Sequence, residues 1–187
     1  PLVSSSAASD VYKRQDQGLS FDIALHAGSL MAIIIYYRKE ITKIMSISDE
    51  GIQYLKLIII GSIPLPIIGL LFVDFVSENL RTINTIAFMT IVFALLLYFA
   101  ERRNHENKNS FATLSFFTII FIGFMQTLAI MPGVSRSGIV ITAALLLNYS
   151  REDSIKIAFL LSIPAIFMAT VYPVSYTHLT LPTTRLV

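Results

Sequence analysis

The chain has 187 residues, of which 55% are hydrophobic and only 14% are charged, and its formal net charge is +2. Soluble domains carry about a quarter charged residues, so this composition excludes an ordinary soluble domain and favours a membrane protein. The sequence contains no cysteine, which excludes disulfides, a thiolate nucleophile and a cysteine-based zinc site. The small net charge gives no indication of a nucleic-acid partner.

The two ends of the chain differ from its centre. Residues 5–15 and 174–187 resemble translated sequencing-adaptor sequence, so we predict that 1–15 and 174–187 are foreign or disordered ends. The remaining residues, 16–173, form one predicted membrane domain, although only a partial one. Acidic and basic residues are balanced within it.

Five segments of this domain approach the length of about 20 apolar residues that a helix needs to cross a bilayer. They are 21–37, 57–73, 83–100, 111–131 and 157–173. A shorter apolar stretch, 139–149, would reach about 16 Å as a helix, which is roughly half of the bilayer. We interpret it as a re-entrant half-helix, with a buried amphipathic connector as the alternative. The predicted fold is an all-α, polytopic membrane helix bundle with about five spans and one re-entrant half-helix.

Basic residues in the connections predict how these spans are oriented in the membrane. Connection 38–56 carries four lysine or arginine residues, 74–82 carries one, and 101–110 carries three. This alternation predicts that 38–56 and 101–110 are cytoplasmic. The loop that follows the 111–131 span then opens toward the outer face of the membrane.

The most informative segment is the octapeptide MPGVSRSG at 131–138, which lies between two uncharged stretches. An arginine at membrane depth is costly unless it binds an anion. Helix N-termini attract phosphate, and a guanidinium can bind two phosphate oxygens at once. We therefore predict Arg136 as a catalytic phosphate ligand, with an arginine that reaches toward lipid headgroups as the alternative. Ser135 and Ser137 are predicted to donate hydrogen bonds to the phosphate, to cap the helix, or both.

Five further positions are predicted to contact the substrate. Gly133 and Gly138 would let the backbone approach the ligand, with Val134 between them. Gln126 lies near the end of the preceding helix, where it can bond to the loop, to the ligand or to another helix. His26 lies one turn beyond an aspartate on an early helix and is a candidate for substrate or proton contacts, although such a pair is more often structural.

A weak internal repeat is also visible. Ser62-Ile63-Pro64 and Ser162-Ile163-Pro164 occur in corresponding apolar spans. Paired spans interrupted by proline are typical of membrane proteins built from inverted halves, so we predict an inverted repeat in the parent protein. A chance match in so biased a composition is the alternative.

Several segments carry a family resemblance. Residues 132–138 resemble the signature of the undecaprenyl-diphosphate phosphatase family, the bacitracin-resistance type of bacterial membrane enzyme. Residues 21–30 resemble its early helix, 126–129 precede the loop as in the family, and 159–164 resemble a later helix; the resemblance covers about 18–172. It implies an integral membrane hydrolase of the bacterial cytoplasmic membrane. Such an enzyme would convert undecaprenyl diphosphate to undecaprenyl phosphate and phosphate, recycle the cell-wall lipid carrier and confer bacitracin resistance.

The chain also departs from the family pattern. The family carries two glutamates four residues apart followed by Ser-Ser-x-Gly-His, and no such glutamate pair occurs here. The resemblance implies a divalent cation, Mg²⁺ or Ca²⁺, bound by this pair, since hard cations prefer carboxylate and phosphate oxygens. We therefore predict no metal ligands in this chain. We expect an inactive fragment that lacks this motif and the last helices of the family.

The implied partners are a polyprenyl diphosphate lipid and the membrane bilayer, and a homodimer is left open. The main alternative function is a transporter or flippase for a lipid phosphate or another anion, because broken helices and an arginine at membrane depth suit transport equally well. A third hypothesis is a membrane fragment without a function of its own. Binding without hydrolysis would distinguish transport from phosphatase activity.

Overall fold

The computed structural model describes residues 19–46, 48–103 and 109–180, and within them the prediction of an all-α fold is confirmed. Short 3-10 turns at Phe111–Thr113 and Leu128–Ile130 flank the sixth helix. The helices of the described part are α1 (Leu19–Tyr36), α2 (Arg38–Ile44), α3 (Asp49–Ser62), α4 (Pro64–Asn79), α5 (Ile83–Arg103), α6 (Phe116–Thr127), α7 (Arg136–Leu146) and α8 (Arg151–Thr180).

The chain divides into two compact units. One comprises 1–36 and 166–187, and its described part consists of α1 and the end of α8. The larger unit comprises 37–165 and contains the loop that is predicted to bind phosphate. Most of the predicted foreign ends, 1–15 and 174–187, lies outside the described residues, although α8 continues into the second of them. The bounds of the membrane domain therefore stay a prediction.

Helix α6 lies at the centre of the larger unit, where it packs against α3, α4 and α7. Ile119 and Ile122 of α6 are fully buried. Gly123, on the same face, lies so close to Gly61 of α3 that a Cβ atom on Gly123 would be 2.5 Å from the Gly61 carbonyl oxygen. Small residues at a crossing let two helix backbones approach, so this glycine pair sets the distance between α3 and α6.

A proline divides the apolar segment Asp49–Phe72 into α3 and α4. The Ser62 hydroxyl donates to the Ile58 carbonyl oxygen at 2.8 Å, and α3 ends at this serine. Pro64, which has no N–H to donate, occupies the start of α4. The matching tripeptide at 162–164 lies inside the continuous helix α8, where its serine also donates to a carbonyl of the preceding turn. The two tripeptides therefore share the serine contact but not the helix break.

Two segments are long and apolar enough to cross a bilayer. Asp49–Phe72 runs through α3 into α4, and Ile83–Arg103 is α5. They correspond to the predicted spans 57–73 and 83–100. Many large apolar side chains of α4 and α5 are exposed, as expected for helix faces that contact lipid.

Residues 109–149 form a hairpin in which α6 leads to a loop and α7 returns. The Asn109 backbone N–H donates to the Asn148 carbonyl oxygen at 3.1 Å, and the Asn109 Nδ2 donates to the Leu147 carbonyl oxygen at 2.7 Å. Asn109 and Tyr149 also form an isolated parallel β-bridge. The two ends of the hairpin therefore meet, and its loop lies at the opposite end.

The hairpin differs from the prediction for both of its helices. The predicted span 111–131 contains α6, which has only 12 residues and is about 18 Å long, between the two 3-10 turns. The predicted half-helix 139–149 begins three residues earlier, as α7, and ends at Leu146. It ends there because Asn148 adopts a left-handed conformation with φ of 60°. Neither α6 nor α7 is long enough to cross a bilayer alone.

Candidate anion-binding site

The anion loop, residues 131–138, begins with a tight turn. The Val134 N–H donates to the Met131 carbonyl oxygen at 3.2 Å. Pro132 and Gly133 occupy the two central positions, and Gly133 has φ of 94°. A proline followed by a glycine with positive φ is the pattern of a type II turn.

Gly133 lies directly against the backbone of α5. A Cβ atom on Gly133 would overlap the Ile86 carbonyl oxygen and would be 2.9 Å from the Thr90 Oγ1. The Thr90 hydroxyl donates to the Ile86 carbonyl oxygen at 2.8 Å and to the Gly133 carbonyl oxygen at 3.1 Å. Only glycine fits both this backbone conformation and this close approach.

Ser135 caps the N-terminus of α7. Its Oγ accepts a hydrogen bond from the Gly138 N–H at 3.2 Å and lies 3.3 Å from the Ser137 Oγ. Its carbonyl oxygen accepts from the Ile139 N–H. The N–H groups of Arg136 and Ser137 have no partner among the described residues. The start of α7 thus combines free N–H groups with two exposed hydroxyls, which are donors that suit a phosphate.

Arg136 is half-buried at the first position of α7. No carboxylate in the described part of the chain pairs with its guanidinium. The ion pairs found there include Lys43–Glu50, Arg151–Glu101 and Lys156–Glu40, and none of them involves Arg136. A guanidinium without a counter-ion, at the positive end of a helix dipole, attracts an anion.

Gln126 lies in the last turn of α6 and is 0% exposed. Neither its Oε1 nor its Nε2 has a hydrogen-bond partner within the described segments. The helix–helix hydrogen bond that was the alternative for this residue is therefore not formed there. Leaving a buried amide unpaired costs about 1–3 kcal/mol, so Gln126 stays a candidate for binding a polar group.

Two further residues, His26 and Val134, are predicted to contact the substrate. His26 belongs to α1, in the smaller unit, and its side chain lies outside what the structure describes. The Val134 side chain is buried, and its N–H is used in the turn. Both positions stay predictions as substrate contacts.

The described residues do not fit a divalent cation. The anion loop offers hydroxyls, N–H donors and a guanidinium, whereas Mg²⁺ and Ca²⁺ require oxygen ligands such as carboxylates. Over the described residues, no group of three histidine or carboxylate side chains is close enough together to hold a metal ion. The loop has the chemistry of an anion site, and the cation implied by the resemblance stays a prediction.

Sequence reasoning missed Thr90 as a contact of the loop. A signal was present, because Thr90 is a polar residue inside an apolar helix, and such residues often bond to another segment. The partner itself could not be inferred, since Gly133 is 43 residues further along the chain.

The chain is similar in sequence to proteins of one family. A family model described as bacitracin resistance protein BacA matches residues 2–186. Relatives named undecaprenyl-diphosphatase include one from Vesicomyosocius okutanii subsp. Calyptogena okutanii (strain HA), 44% identical over 165 residues, which are 83% of this chain and 62% of the relative. Another, from Saccharophagus degradans, is 42% identical over 182 residues, 91% of this chain and 68% of the relative. The chain thus spans about three fifths to two thirds of the length of these relatives.

Proposed function

Because the chain belongs to the bacitracin resistance protein BacA family, we propose that it is part of an integral membrane phosphatase that acts on undecaprenyl diphosphate. The products would be undecaprenyl phosphate and inorganic phosphate. The monophosphate would serve again as the lipid carrier for cell-wall synthesis. Bacitracin sequesters the diphosphate, so its removal would account for the resistance in the family's name.

One observation carries the proposal, namely the Arg136 guanidinium, which has no carboxylate partner in the described segments, at the N-terminus of α7. A lipid diphosphate brings negative charge, which the guanidinium, the helix dipole and the free N–H groups of Arg136 and Ser137 can stabilise. The exposed hydroxyls of Ser135 and Ser137 add further donors.

The proposed role of these groups is electrostatic. In hydrolysis, water attacks the terminal phosphorus, the bond to the bridging oxygen breaks, and charge builds on the phosphoryl and bridging oxygens. Donors that are fixed before the reaction stabilise this charge without reorganisation. Arg136 and the first N–H groups of α7 fill this role. Ser135 and Ser137 act as donors rather than as nucleophiles, because no histidine or carboxylate of the described residues bonds to their hydroxyls.

We propose that the chain crosses the bacterial cytoplasmic membrane several times. The α3–α4 segment and α5 would span the bilayer. So would α1, which covers all but the last residue of the predicted span 21–37, and α8, which contains the predicted span 157–173. The α6–α7 hairpin would enter and leave on the same side, in place of the predicted span 111–131. Its support is the short length of both helices and the contact of Asn109 with Asn148.

The anion loop is proposed to open toward the outer face of this membrane. It lies against Ile86 and Thr90, near the start of α5, whereas Arg102 and Arg103 lie at the end of the same helix. The basic end of a membrane helix faces the cytoplasm. The opposite end of α5, and the loop beside it, then face outward.

Binding of farnesyl diphosphate to the purified chain in detergent tests the anion site, with isothermal titration calorimetry as the measurement. Arg136→Ala should weaken binding about tenfold or more, because hydrogen bonds to a charged group are lost. Arg136→Lys should give an intermediate affinity, since it keeps the charge but loses the planar fork. Arg103→Ala is the matched control, because Arg103 is exposed at the end of α5 that is far from the loop and should not affect binding.

Equal affinities of the unchanged chain and the Arg136→Ala variant would reject the proposed role of this arginine. Hydrolysis is tested in a full-length relative, where replacement of the arginine aligned with Arg136 should abolish phosphate release without lowering thermal stability. Phosphate release by the present chain alone would contradict the expectation that it is inactive.

A transporter or flippase for a lipid phosphate or another anion stays the second candidate. The helix break at Pro64 and the α6–α7 hairpin favour it, because interrupted helices commonly surround transport sites. Assays in detergent separate the two functions, since transport has no meaning without a sealed membrane. Lipid diphosphate that the full-length relative binds but never hydrolyses would support transport.

A further inference from the structure

We propose that Thr90 is a positioning residue of the anion site. Its hydroxyl holds the Gly133 carbonyl oxygen against α5 and thereby fixes the loop from which Arg136 and the N–H groups of α7 bind phosphate. This inference rests on the proposed function and deepens it, because it names the residue that orders the binding loop before the ligand arrives.

The contact of Thr90 with the loop is additional to an ordinary helix contact. A threonine in a helix commonly donates to the carbonyl four residues earlier, and Thr42 does so to the Arg38 carbonyl oxygen at 2.6 Å. Thr90 makes the same kind of bond to Ile86 at 2.8 Å. It also lies 3.1 Å from the Gly133 carbonyl oxygen, so its one hydroxyl proton is shared between two acceptors on different segments.

The position of Gly133 is transmitted to Arg136 because the two residues between them are also held. The Val134 side chain is buried, and its N–H is bonded within the turn. Ser135 caps α7 through the Gly138 N–H. A shift of the Gly133 peptide away from α5 would therefore displace the first turn of α7, where the free donors lie.

Holding the loop in place strengthens anion binding, because the hydrogen-bond donors of the site lie on this loop. A loop that must be ordered on binding loses conformational entropy at that moment, whereas one that is held beforehand does not. Thr90 itself is exposed, and valine has nearly the same shape as threonine. Replacing Thr90 by valine thus removes the hydroxyl without opening a cavity or removing core contacts.

The test compares farnesyl diphosphate with uncharged farnesol as ligands of the purified chain in detergent, with calorimetry and thermal unfolding as measurements. Thr90→Val should weaken binding of the diphosphate about three- to tenfold, the effect of one typical hydrogen bond. Binding of farnesol and the melting temperature should stay unchanged. Thr90→Ser keeps the hydroxyl and should restore the affinity for the diphosphate.

Thr42→Val is the matched control, since it removes a hydroxyl that bonds only within its own helix. The inference is overturned if Thr90→Val binds the diphosphate as the unchanged chain does, if Thr90→Ser fails to restore binding, or if Thr42→Val weakens binding equally. A loss of farnesol binding in Thr90→Val would also overturn it, because the effect would then be general. An unchanged chain that binds no diphosphate would instead reject the proposed function, and this inference with it.

Discussion

Three residues of the anion loop are each restrained by a different interaction. Gly133 is restrained by its positive φ and by α5, Val134 by burial, and Ser135 by the cap that it provides to α7. Arg136 is the exception, because no carboxylate of the described chain binds its guanidinium. The backbone is thus fixed while the one strong cation is left free, which is the arrangement expected of a preorganised anion site.

Gly133→Ala should destabilise the protein and weaken diphosphate binding. The new Cβ would overlap the Ile86 carbonyl oxygen, and alanine is unfavourable at φ of 94°. We expect a loss of about 1–3 kcal/mol, measured as a lower melting temperature in detergent together with reduced affinity for farnesyl diphosphate. Gly69→Ala is the control, because no atom lies within 4 Å of a Cβ there and alanine favours a helix. An unchanged melting temperature of Gly133→Ala would mean that the loop can leave α5 at no cost.

The local chemistry of these residues could be predicted from the sequence, but their long-range contacts could not. A serine just before an apolar helix indicates a cap, and proline followed by glycine indicates a turn. Both signals depend only on neighbouring residues. The contact of Thr90 with Gly133, and the burial of Gln126 without a partner among the described residues, depend on how distant helices pack, which the loop motif does not encode.

At the scale of elements, hydrogen bonds of Asn109 hold the two ends of the α6–α7 hairpin together, and the anion loop lies at the other end of the hairpin. The hydropathy of the sequence predicted two apolar segments here. The first, 111–131, was predicted as a complete span, whereas its helix α6 has only 12 residues. Composition reports how apolar a segment is and not where its ends meet. The closing contact joins Asn109 to Leu147 and Asn148 through hydrogen bonds that hydropathy does not register.

Asn109→Ala should loosen the closed end of the hairpin. It removes the 2.7 Å bond from the Asn109 Nδ2 to the Leu147 carbonyl oxygen and keeps the backbone bond to Asn148. We expect a loss of about 1 kcal/mol and faster hydrogen–deuterium exchange at 145–149. In the control Asn79→Ala, the lost bond joins Asn79 only to its own helix. Equal exchange at 145–149 in both variants would show that the backbone bond alone closes the hairpin.

At the scale of the larger unit, a group of charged side chains and the anion loop lie toward opposite ends of α5. The end at Arg103 adjoins the ion pair between Glu101 and Arg151. The chain also forms a cavity of about 360 Å³ whose charged lining residues are Glu40, Lys43, Glu50, Asp153 and Lys156. The other end of α5 carries the anion loop, beside the exposed apolar faces of the helices. A membrane protein with one charged, cytoplasmic end and a recessed anion site near its other face would have this distribution.

The absence of native cysteine makes this orientation directly measurable, because any introduced cysteine is the only reactive thiol. Asn79→Cys lies at the end of α4, and Arg103→Cys lies at the end of α5. The test uses cells with a permeabilised outer membrane and an intact inner membrane. A membrane-impermeant maleimide should label Asn79→Cys rapidly, and it should label Arg103→Cys only after the inner membrane is opened. This result is expected if α5, which is long and apolar enough to cross a bilayer, spans it with its basic end in the cytoplasm, as proposed. Labelling of Arg103→Cys from outside, with Asn79→Cys protected, would reverse the orientation and direct the anion loop toward the cytoplasm.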